Sequence, residues 1–472
     1  MAAAQAGDIG VVGLGVMGWN LARNLARHGF QVRGHDLDAG RRERFAQGEE
    51  GARMAAAASL QDMVQGLARP RRILLMVPAG AAVDTVLAQL RPLLAPGDVV
   101  IDGGNSRYTD TERRLAELAG GGIVFVGAGV SGGEQGALEG PAIMPGGDPQ
   151  AWPLVRPLLQ AIAARAPDGS PCCEWMGGGA SGHFVKMVHN GIEYVDMQLI
   201  CEAYALLRSA GLDDRAAGEV FGQWNRGELE SYLLAITADI LARTDPESGD
   251  PLVERILDTA QQKGTGQWAT QAALELGVAA PTLGEAVFAR ALSAAKPLRL
   301  QAAGVLPGPG RAAPAGAGFP EQLRLAFLGA RLGAYAQGFH LLQAADAEHR
   351  WGLPLATIAS VWRAGCIIRA RLLEDIRAAF QGEAAPAHLL LAPGLAATMG
   401  RCQQALREVV AAAALQGVPV PAFASALATY DGLRSARLPA NLLQAQRDYF
   451  GAHGYQRVDR PGQFHTDWTA PA

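Results

Sequence analysis

Asp8-Ile9-Gly10-Val11-Val12 runs directly into Gly13-Leu14-Gly15-Val16-Met17-Gly18, and apolar residues at helical spacing continue through Leu21 and Leu25 to His28. No other stretch limits the fold so tightly. A short apolar strand, a G-x-G-x-x-G turn and a helix open a Rossmann-type unit. The glycines there permit a tight turn and bring backbone N–H groups close to a pyrophosphate. An ordinary glycine turn is the bland alternative, and the position between strand and helix argues against it. Phe30–Gly34 reads as the second strand, ending at His35-Asp36-Leu37-Asp38. Asp36 stands 18 residues after Gly18, near the spacing of the acidic residue that accepts from the adenosine ribose hydroxyls. A carboxylate there repels a 2′-phosphate, whereas the neighbouring Arg41 and Arg42 could grip one.

More α/β alternation follows. Arg72–Val77 reads as a strand ending at Pro78-Ala79-Gly80, where strand ends face a ligand cleft. Val83–Leu94 reads as a helix, Asp98–Asp102 as a strand leading into Gly103-Gly104-Asn105-Ser106, Thr109–Ala119 as a helix and Ile123–Val126 as a strand. The segment GAGVSGGEQGALEGPAIMPGG reads as a glycine-rich loop holding Ser131-Gly132-Gly133, suited to a polyhydroxylated or anionic ligand or to a plain connector. Trp152–Ala164 is expected to be helical and Arg165–Met176 to be the last strand region. Beyond about residue 180 the strand pattern stops. Ala/Leu-rich helical stretches run to about residue 435, interrupted by the Pro/Gly/Ala-rich segment 304–320.

The first of these helices, 182–202, has two unlike faces. At about 100° per residue, Lys186, His189, Asn190, Glu193 and Tyr194 share one side, while Val188, Ile192, Val195 and Leu199 share the other. One of each polar chemistry is not what a solvated face is built from. Either the face is a satisfied polar seam between domains, or it is a catalytic wall with an amine base and a carboxylic acid roughly two turns apart.

Composition narrows the class. The chain has 472 residues, room for two or three domains. With 41 basic and 45 acidic residues it is not a general nucleic-acid binder. Five cysteines without a C-x-x-C pair fit free thiols in a reducing compartment. No secretory pattern and no apolar run of membrane-spanning length is visible, so a cytoplasmic protein away from the membrane is expected. No metal-ligand spacing stands out. Lys263 and Thr265, in a break between helical stretches, Arg290 on a largely apolar helix, and Arg447 and His453 near the end suggest an oxyanion or phosphate pocket when taken with the glycine loop. Residues 437–472 read as an extended tail that needs something larger to pack on.

In order, GLGVMG (13–18), IDGGNS (101–106), GVSGGEQGA (129–137), MPGG (144–147), GHFVKMVHNGIEYVDMQLICEAY (182–204), QKGTGQW (262–268), EAVFAR (285–290) and LPANLLQAQRDYFGAH (438–453) resemble decarboxylating 6-phosphogluconate dehydrogenases over nearly the whole chain. The wider β-hydroxyacid dehydrogenase family shares only the glycine turn and the helix lysine. The resemblance implies a Rossmann-type N-terminal domain (1–178), a large all-α substrate and dimerisation domain (179–436) and a C-terminal tail (437–472) reaching the partner subunit of a homodimer. It implies oxidation of 6-phosphogluconate at C3 by a nicotinamide cofactor, then loss of CO2 to ribulose 5-phosphate, in the pentose phosphate pathway and gluconate use. Lys186 matches the family base and Glu193 the acid. Asn105, Ser131, Gly132, Gly133, His189 and Asn190 match substrate-orienting positions. Tyr194, Lys263, Thr265, Arg290, Arg447 and His453 match the phosphate end. Gly13, Leu14, Gly15, Val16, Met17, Gly18, Asp36, Leu37, Asp38, Val77, Pro78, Ala79 and Asn105 match cofactor positions.

The chain departs from the family at one place that matters. The usual Asn-Arg-Thr after the second strand, an NADP-binding segment, reads Asp36-Leu37-Asp38, and Pro78 replaces a common Lys. NADP binding is usual in the family; loss of a charge-assisted contact and added repulsion favour NAD here, by a factor on the order of a hundred. Two other readings stand beside the main one: a β-hydroxyacid dehydrogenase for a smaller substrate, against which the phosphate-end cations argue, and a catalytically silent dinucleotide-binding protein, against which Lys186 and Glu193 together argue.

Overall fold

The computed structural model describes residues 6–261, 264–309, 316, 318–382 and 384–470. It divides into two compact units, one up to Ala426 and one from Leu427 onward. The first begins with a seven-stranded sheet: β1 (Ile9–Val12), β2 (Val32–His35), β3 (Met54–Ala56), β4 (Arg72–Leu75), β5 (Val99–Asp102), β6 (Val124–Ser131) and β7 (Ala142–Gly147). The order is β3-β2-β1-β4-β5-β6-β7, parallel except for the antiparallel β6–β7 pair. Strand order reverses beside β1, which opens a crevice at the carboxyl ends of β1 and β4. The strands read as short apolar runs because both faces are covered, each by its own apolar cluster.

The connecting helices are α1 (Val16–Arg27), α2 (Ala39–Ala46), α3 (Leu60–Gln65), α4 (Ala81–Leu90), α5 (Tyr108–Ala119), α6 (Gly133–Glu139) and α7 (Trp152–Ile162). Asp38 caps α2 by accepting from Arg41 N, and Ser59 caps α3 by accepting from Asp62 N. At the glycine turn, Gly13 has φ 94°, and a Cβ on Gly18 would lie 1.9 Å from the Gly13 carbonyl oxygen. Only glycine satisfies both demands.

Two expectations from the sequence are corrected here. Arg165–Met176 is not a strand: it makes only isolated bridges, Arg165 with Pro171 and Cys173 with Ile143. The glycine-rich segment is not one loop. It supplies most of β6, all of α6 and β7, and its glycines let the sheet edge meet a helix backbone to backbone. A Cβ on Gly182 would stand 2.1 Å from the Gly127 carbonyl oxygen, and one on Gly129 would stand 2.2 Å from Lys186 Cβ. The short elements α2, β3 and α3 had no distinct signal. The second strand also begins two residues later than Phe30.

That helix is α8 (Ser181–Ser209), 29 residues long. After it come α9 (Asp214–Trp224), α10 (Tyr232–Leu241), α11 (Thr265–Glu275), α12 (Pro281–Ala294), α13 (Lys296–Val305), α14 (Phe319–His349), α15 (Leu355–Val361), α16 (Leu372–Phe380), α17 (Pro393–Gln416), α18 (Pro421–Leu433) and α19 (Ala440–Gly451). No strand is found after β7 among the described residues, as the loss of alternation predicts. α14 packs along both α8 and α17. A fully buried ion pair joins α8 to α14, with Arg331 Nε 3.0 Å from Asp196 Oδ1 and the Tyr335 hydroxyl donating to Asp196 Oδ2 at 3.2 Å. Residues 310–315 and 317 of segment 304–320 lie outside the described residues. Cys172, Cys173, Cys366 and Cys402 are buried free thiols, and Cys201 is exposed.

The second unit has an internal organisation that composition does not announce. Asp448 on α19 is fully buried, and its carboxylate accepts from the Gly454 and Thr466 amides and from Trp468 Nε1, with His465 Nδ1 at 2.8 Å. Burial alone would raise this carboxyl. The bonds from His465, Thr466, Trp468 and Gly454 prevail and hold it well below the usual carboxylate range.

Candidate active site

The polar face of α8 is buried, not solvated. Lys186 is 6% exposed and His189 0%, with Asn190 and Tyr194 also buried and Glu193 partly so. The helix delivers them inward because Gly127, Gly129 and Gly146 leave room for its first turns against β6 and β7. Lys186 Nζ lies 3.3 Å from His189 Nδ1, which lies 3.2 Å from Asn190 Oδ1 and 3.7 Å from Glu193 Oε2. At the far side of the imidazole, His189 Nε2 is 3.4 Å from the Ser131 hydroxyl at the end of β6. Gly132 and Gly133 follow with φ of 126° and 65°, opening α6. Trp362 meets the His189 ring edge to face at 5.6 Å.

Burial drives the charges of this group. It lowers the Lys186 amine, against an opposing pull from Glu193 and Cys366. It raises the Glu193 carboxyl, against Lys186 and Arg290. Burial, and then Lys186, push His189 well below the ordinary imidazole value. A neutral amine and a neutral carboxylic acid at one wall are the species that proton removal and proton donation need near neutral pH.

Toward the C-terminal end of this face, the Arg290 guanidinium stacks on the Tyr194 ring at 3.5 Å, with Nη2 3.5 Å from Met197 Sδ. Thr265 opens α11 and is buried, and a Cβ on Gly266 would stand 2.5 Å from the Tyr194 ring. Arg290 and the start of α11, which carries Thr265, therefore meet at the Tyr194 ring. Lys263 lies outside the described residues. Arg447 and His453 belong to the second unit, where both are exposed. Arg447 donates to Gln444 Oε1 at 3.3 Å, and His453 packs on Phe450.

A cleft of about 980 Å³ opens at the glycine turn. Gly13, Gly15, Val16, Met17, Gly18, Asp36, Leu37, Val77, Pro78, Ala79 and Asn105 all line it. Leu14 and Asp38 do not: Leu14 is buried with its N–H donated to Asp36 Oδ2 at 2.7 Å, and Asp38 caps α2. The cleft fits a dinucleotide. A Cβ on Gly15, at the N-terminus of α1, would meet nothing nearer than Arg41 Nη1 at 3.9 Å, so the backbone there is open to a ligand. Sequence reasoning missed Trp268, which lines the cleft from α11 with Thr265. The QKGTGQW motif was its only signal. The two arginines after β2 are placed differently. Arg42 Nη1 donates to the Asp36 and Leu37 carbonyls at 2.7 and 3.1 Å, whereas Arg41, about half exposed, lines the cleft 3.4 Å from Asp36 Oδ2.

Residues 8–177 match the family model described as the NAD binding domain of 6-phosphogluconate dehydrogenase, and residues 182–468 match the C-terminal domain of 6-phosphogluconate dehydrogenase. The chain belongs to the 6-phosphogluconate dehydrogenase family. It is thereby an oxidoreductase with a nicotinamide dinucleotide cofactor. Among its relatives, the decarboxylating 6-phosphogluconate dehydrogenase of Drosophila melanogaster is 51% identical over 98% of this chain and 96% of its own length. An enzyme of Bacillus subtilis, named as NADP(+)-dependent and decarboxylating, is 50% identical over 98% and 99%. The solved structure of Plasmodium falciparum 6-phosphogluconate dehydrogenase superposes with a TM-score of 0.94 at 38% identity, over 98% of this chain and all of that one. That work describes its protein in apo form, with its cofactor NADP+ and with its substrate 6-phosphogluconate.

Proposed function

We propose that this chain oxidises and decarboxylates 6-phospho-D-gluconate to D-ribulose 5-phosphate and CO2, serving the pentose phosphate pathway in the cytoplasm. One observation carries the assignment of roles: Lys186 and Glu193 sit on one buried face, the amine pushed down and the carboxyl pushed up by the same desolvation. Neutral Lys186 removes the proton of the C3 hydroxyl. As ammonium it then holds the C3 ketone oxygen and draws electrons from the C1–C2 bond as CO2 leaves. Glu193, its carboxyl raised by burial, donates its proton to C1 of the enediol. His189, Asn190, Ser131, Gly132, Gly133 and Asn105 orient the sugar acid, and Tyr194, Lys263, Thr265 and Arg290 receive its phosphate. The bound nicotinamide supplies the hydride acceptor, and Gly13, residues 15–18, Asp36, Leu37 and 77–79 hold its dinucleotide.

The working unit is a homodimer in which Arg447 and His453 complete the partner's phosphate end. Their exposure, and the run of exposed apolar side chains Leu442, Leu443, Tyr449 and Phe450 around them, supports this reading.

The cofactor is NAD in preference to NADP. Leu37 is 91% exposed and offers no charge to a 2′-phosphate, and Arg42 is engaged by backbone carbonyls. Arg41 is the one arginine among the described residues lining the cleft, and it already faces the Asp36 carboxylate. The experiment is initial rate on 6-phosphogluconate with NAD and with NADP, following reduced nicotinamide and CO2 together. Equal yields of the two establish the reaction, and a higher specificity constant with NADP would overturn the preference. The same assay on Arg41→Ala then reports whether this arginine admits NADP.

A further inference from the structure

The loops that face the cleft are tied together from behind by one guanidinium. Arg114 on α5 has no exposed side-chain surface. Its Nε donates to Asp84 Oδ1 on α4 at 2.7 Å and its Nη2 to the Gly80 carbonyl at 3.0 Å. Its Nη1 reaches Asp102 Oδ2 at 3.4 Å and the Ser106 hydroxyl at 3.3 Å. Asp102 ends β5, and its carboxylate also accepts from Ser106 Oγ at 2.6 Å and Gly104 N at 3.1 Å. Arg114 thus holds both the turn 78–80 and the turn 103–106. The backbone carbonyl of Asp102 lies 3.1 Å from Nε2 of His183, and His183 Nδ1 lies 2.6 Å from the Thr111 hydroxyl, back on α5. A carbonyl only accepts, so Nε2 carries the proton and Nδ1 receives the threonine proton. His183 precedes Lys186 by three residues on α8.

We infer that Arg114 and His183 are positioning residues, Arg114 fixing the two cleft-facing turns as one piece and His183 fixing the first turn of α8 against them. The inference rests on the roles proposed above for Lys186 and Asn105. A buried ion pair is a poor way to gain stability, since apolar side chains of the same volume hold a core as well. A planar fork with fixed donor directions is instead a good way to set several acceptors relative to one another. Little slack is left around His183, because a Cβ on Gly127 would lie 2.7 Å from its Nδ1.

The test is made on the full-length protein. Arg114→Lys keeps the charge and loses the fork; it is expected to raise the dissociation constants of both NAD+ and 6-phosphogluconate in calorimetry, each by about tenfold, because both turns it holds are loosened. His183→Leu is expected to lower kcat by about tenfold with NAD+ affinity within about threefold. It should also move the acid limb of the kcat profile to higher pH as Lys186, faced by Glu193, His189 and Cys366, loses part of its burial. His183→Gln, whose amide donates to the same carbonyl, should recover part of both. Should either main variant fail to fold, Ser106→Ala and Thr111→Val remove one hydroxyl from each arm and are read in the same way. Affinities, kcat and pH profile unchanged per folded molecule, with only a lower melting temperature, would overturn the inference. If the wild-type protein does not turn over 6-phosphogluconate, the catalytic assignment fails, and the NAD+ titration of Arg114→Lys still decides the role of Arg114.

Discussion

Lys186 and Glu193 show how one environment prepares two opposite groups. Desolvation disfavours charge on both, so it lowers the amine and raises the carboxyl, each in the direction its proposed role calls for. Lys186→Ala is expected to lose nearly all turnover while still binding 6-phosphogluconate, read by calorimetry beside a rate assay. Glu193→Ala is expected to be slowed after the redox step, so that a rapid burst of reduced nicotinamide precedes a slow steady state; normal turnover would remove Glu193 from its role. The pH dependence carries a sign. Activity needing neutral Glu193 falls as pH rises through its pKa, and Arg290 holds that pKa down. Arg290→Met should therefore shift the alkaline limb of kcat to higher pH while raising KM for the phosphorylated substrate. Gly129 has an equally specific duty. A methyl group there would have to displace Lys186 Cβ at 2.2 Å, so Gly129→Ala is expected to cost about 1–3 kcal/mol and to lower kcat. A melting temperature and a kcat both at wild-type level would refute that.

At the scale of elements, the legible parts were those whose pattern follows from one element alone. The strand, glycine turn and first helix declare themselves in residues 8–28, and the mixed polar face of α8 follows from helical spacing. The start of β6 was read, but its continuation past Val126, α6 and β7 were not legible, because their glycines have no propensity for strand or helix and exist to let α8 approach. That reason lies far along the chain, in the close approach of Gly127, Gly129 and Gly146 on the sheet to Gly182 and Lys186 on the helix. Trp268 and Trp362 were unreadable for the same reason: only the fold brings α11 to the cleft and residue 362 to His189. The back of α8 is secured by Asp196 and Arg331 on α14. Asp196→Ala leaves the guanidinium buried and unpaired, and should cost about 3–5 kcal/mol, read as a fall in thermal midpoint; an unchanged midpoint would mean that water reaches Arg331.

For the whole molecule, the expected sharing of sites between two copies has a direct test. Mixing Lys186→Ala chains with Arg447→Ala chains, each inactive alone, gives hybrid dimers with one intact site, so about a quarter of wild-type activity should return after random exchange. No recovery would place Arg447 outside the partner's site. The fold around Asp448 matters to the same question, since it sets the shape in which the tail is presented. Because its carboxyl is held low, its contribution is present above the usual carboxylate range and is lost only as pH falls through the depressed value. Asp448→Asn is expected to make residues 452–470 sensitive to limited proteolysis at neutral pH; resistance equal to wild type would show that the tail is ordered by other contacts. Finally, the distribution of thiols offers a handle for spectroscopy. Four of the five are closed to solvent and Cys201 is open, eight residues beyond Glu193 on the same helix. A maleimide dye added to the native enzyme should label one position per chain, and its emission then becomes an optical signal for filling of the site without any need for turnover.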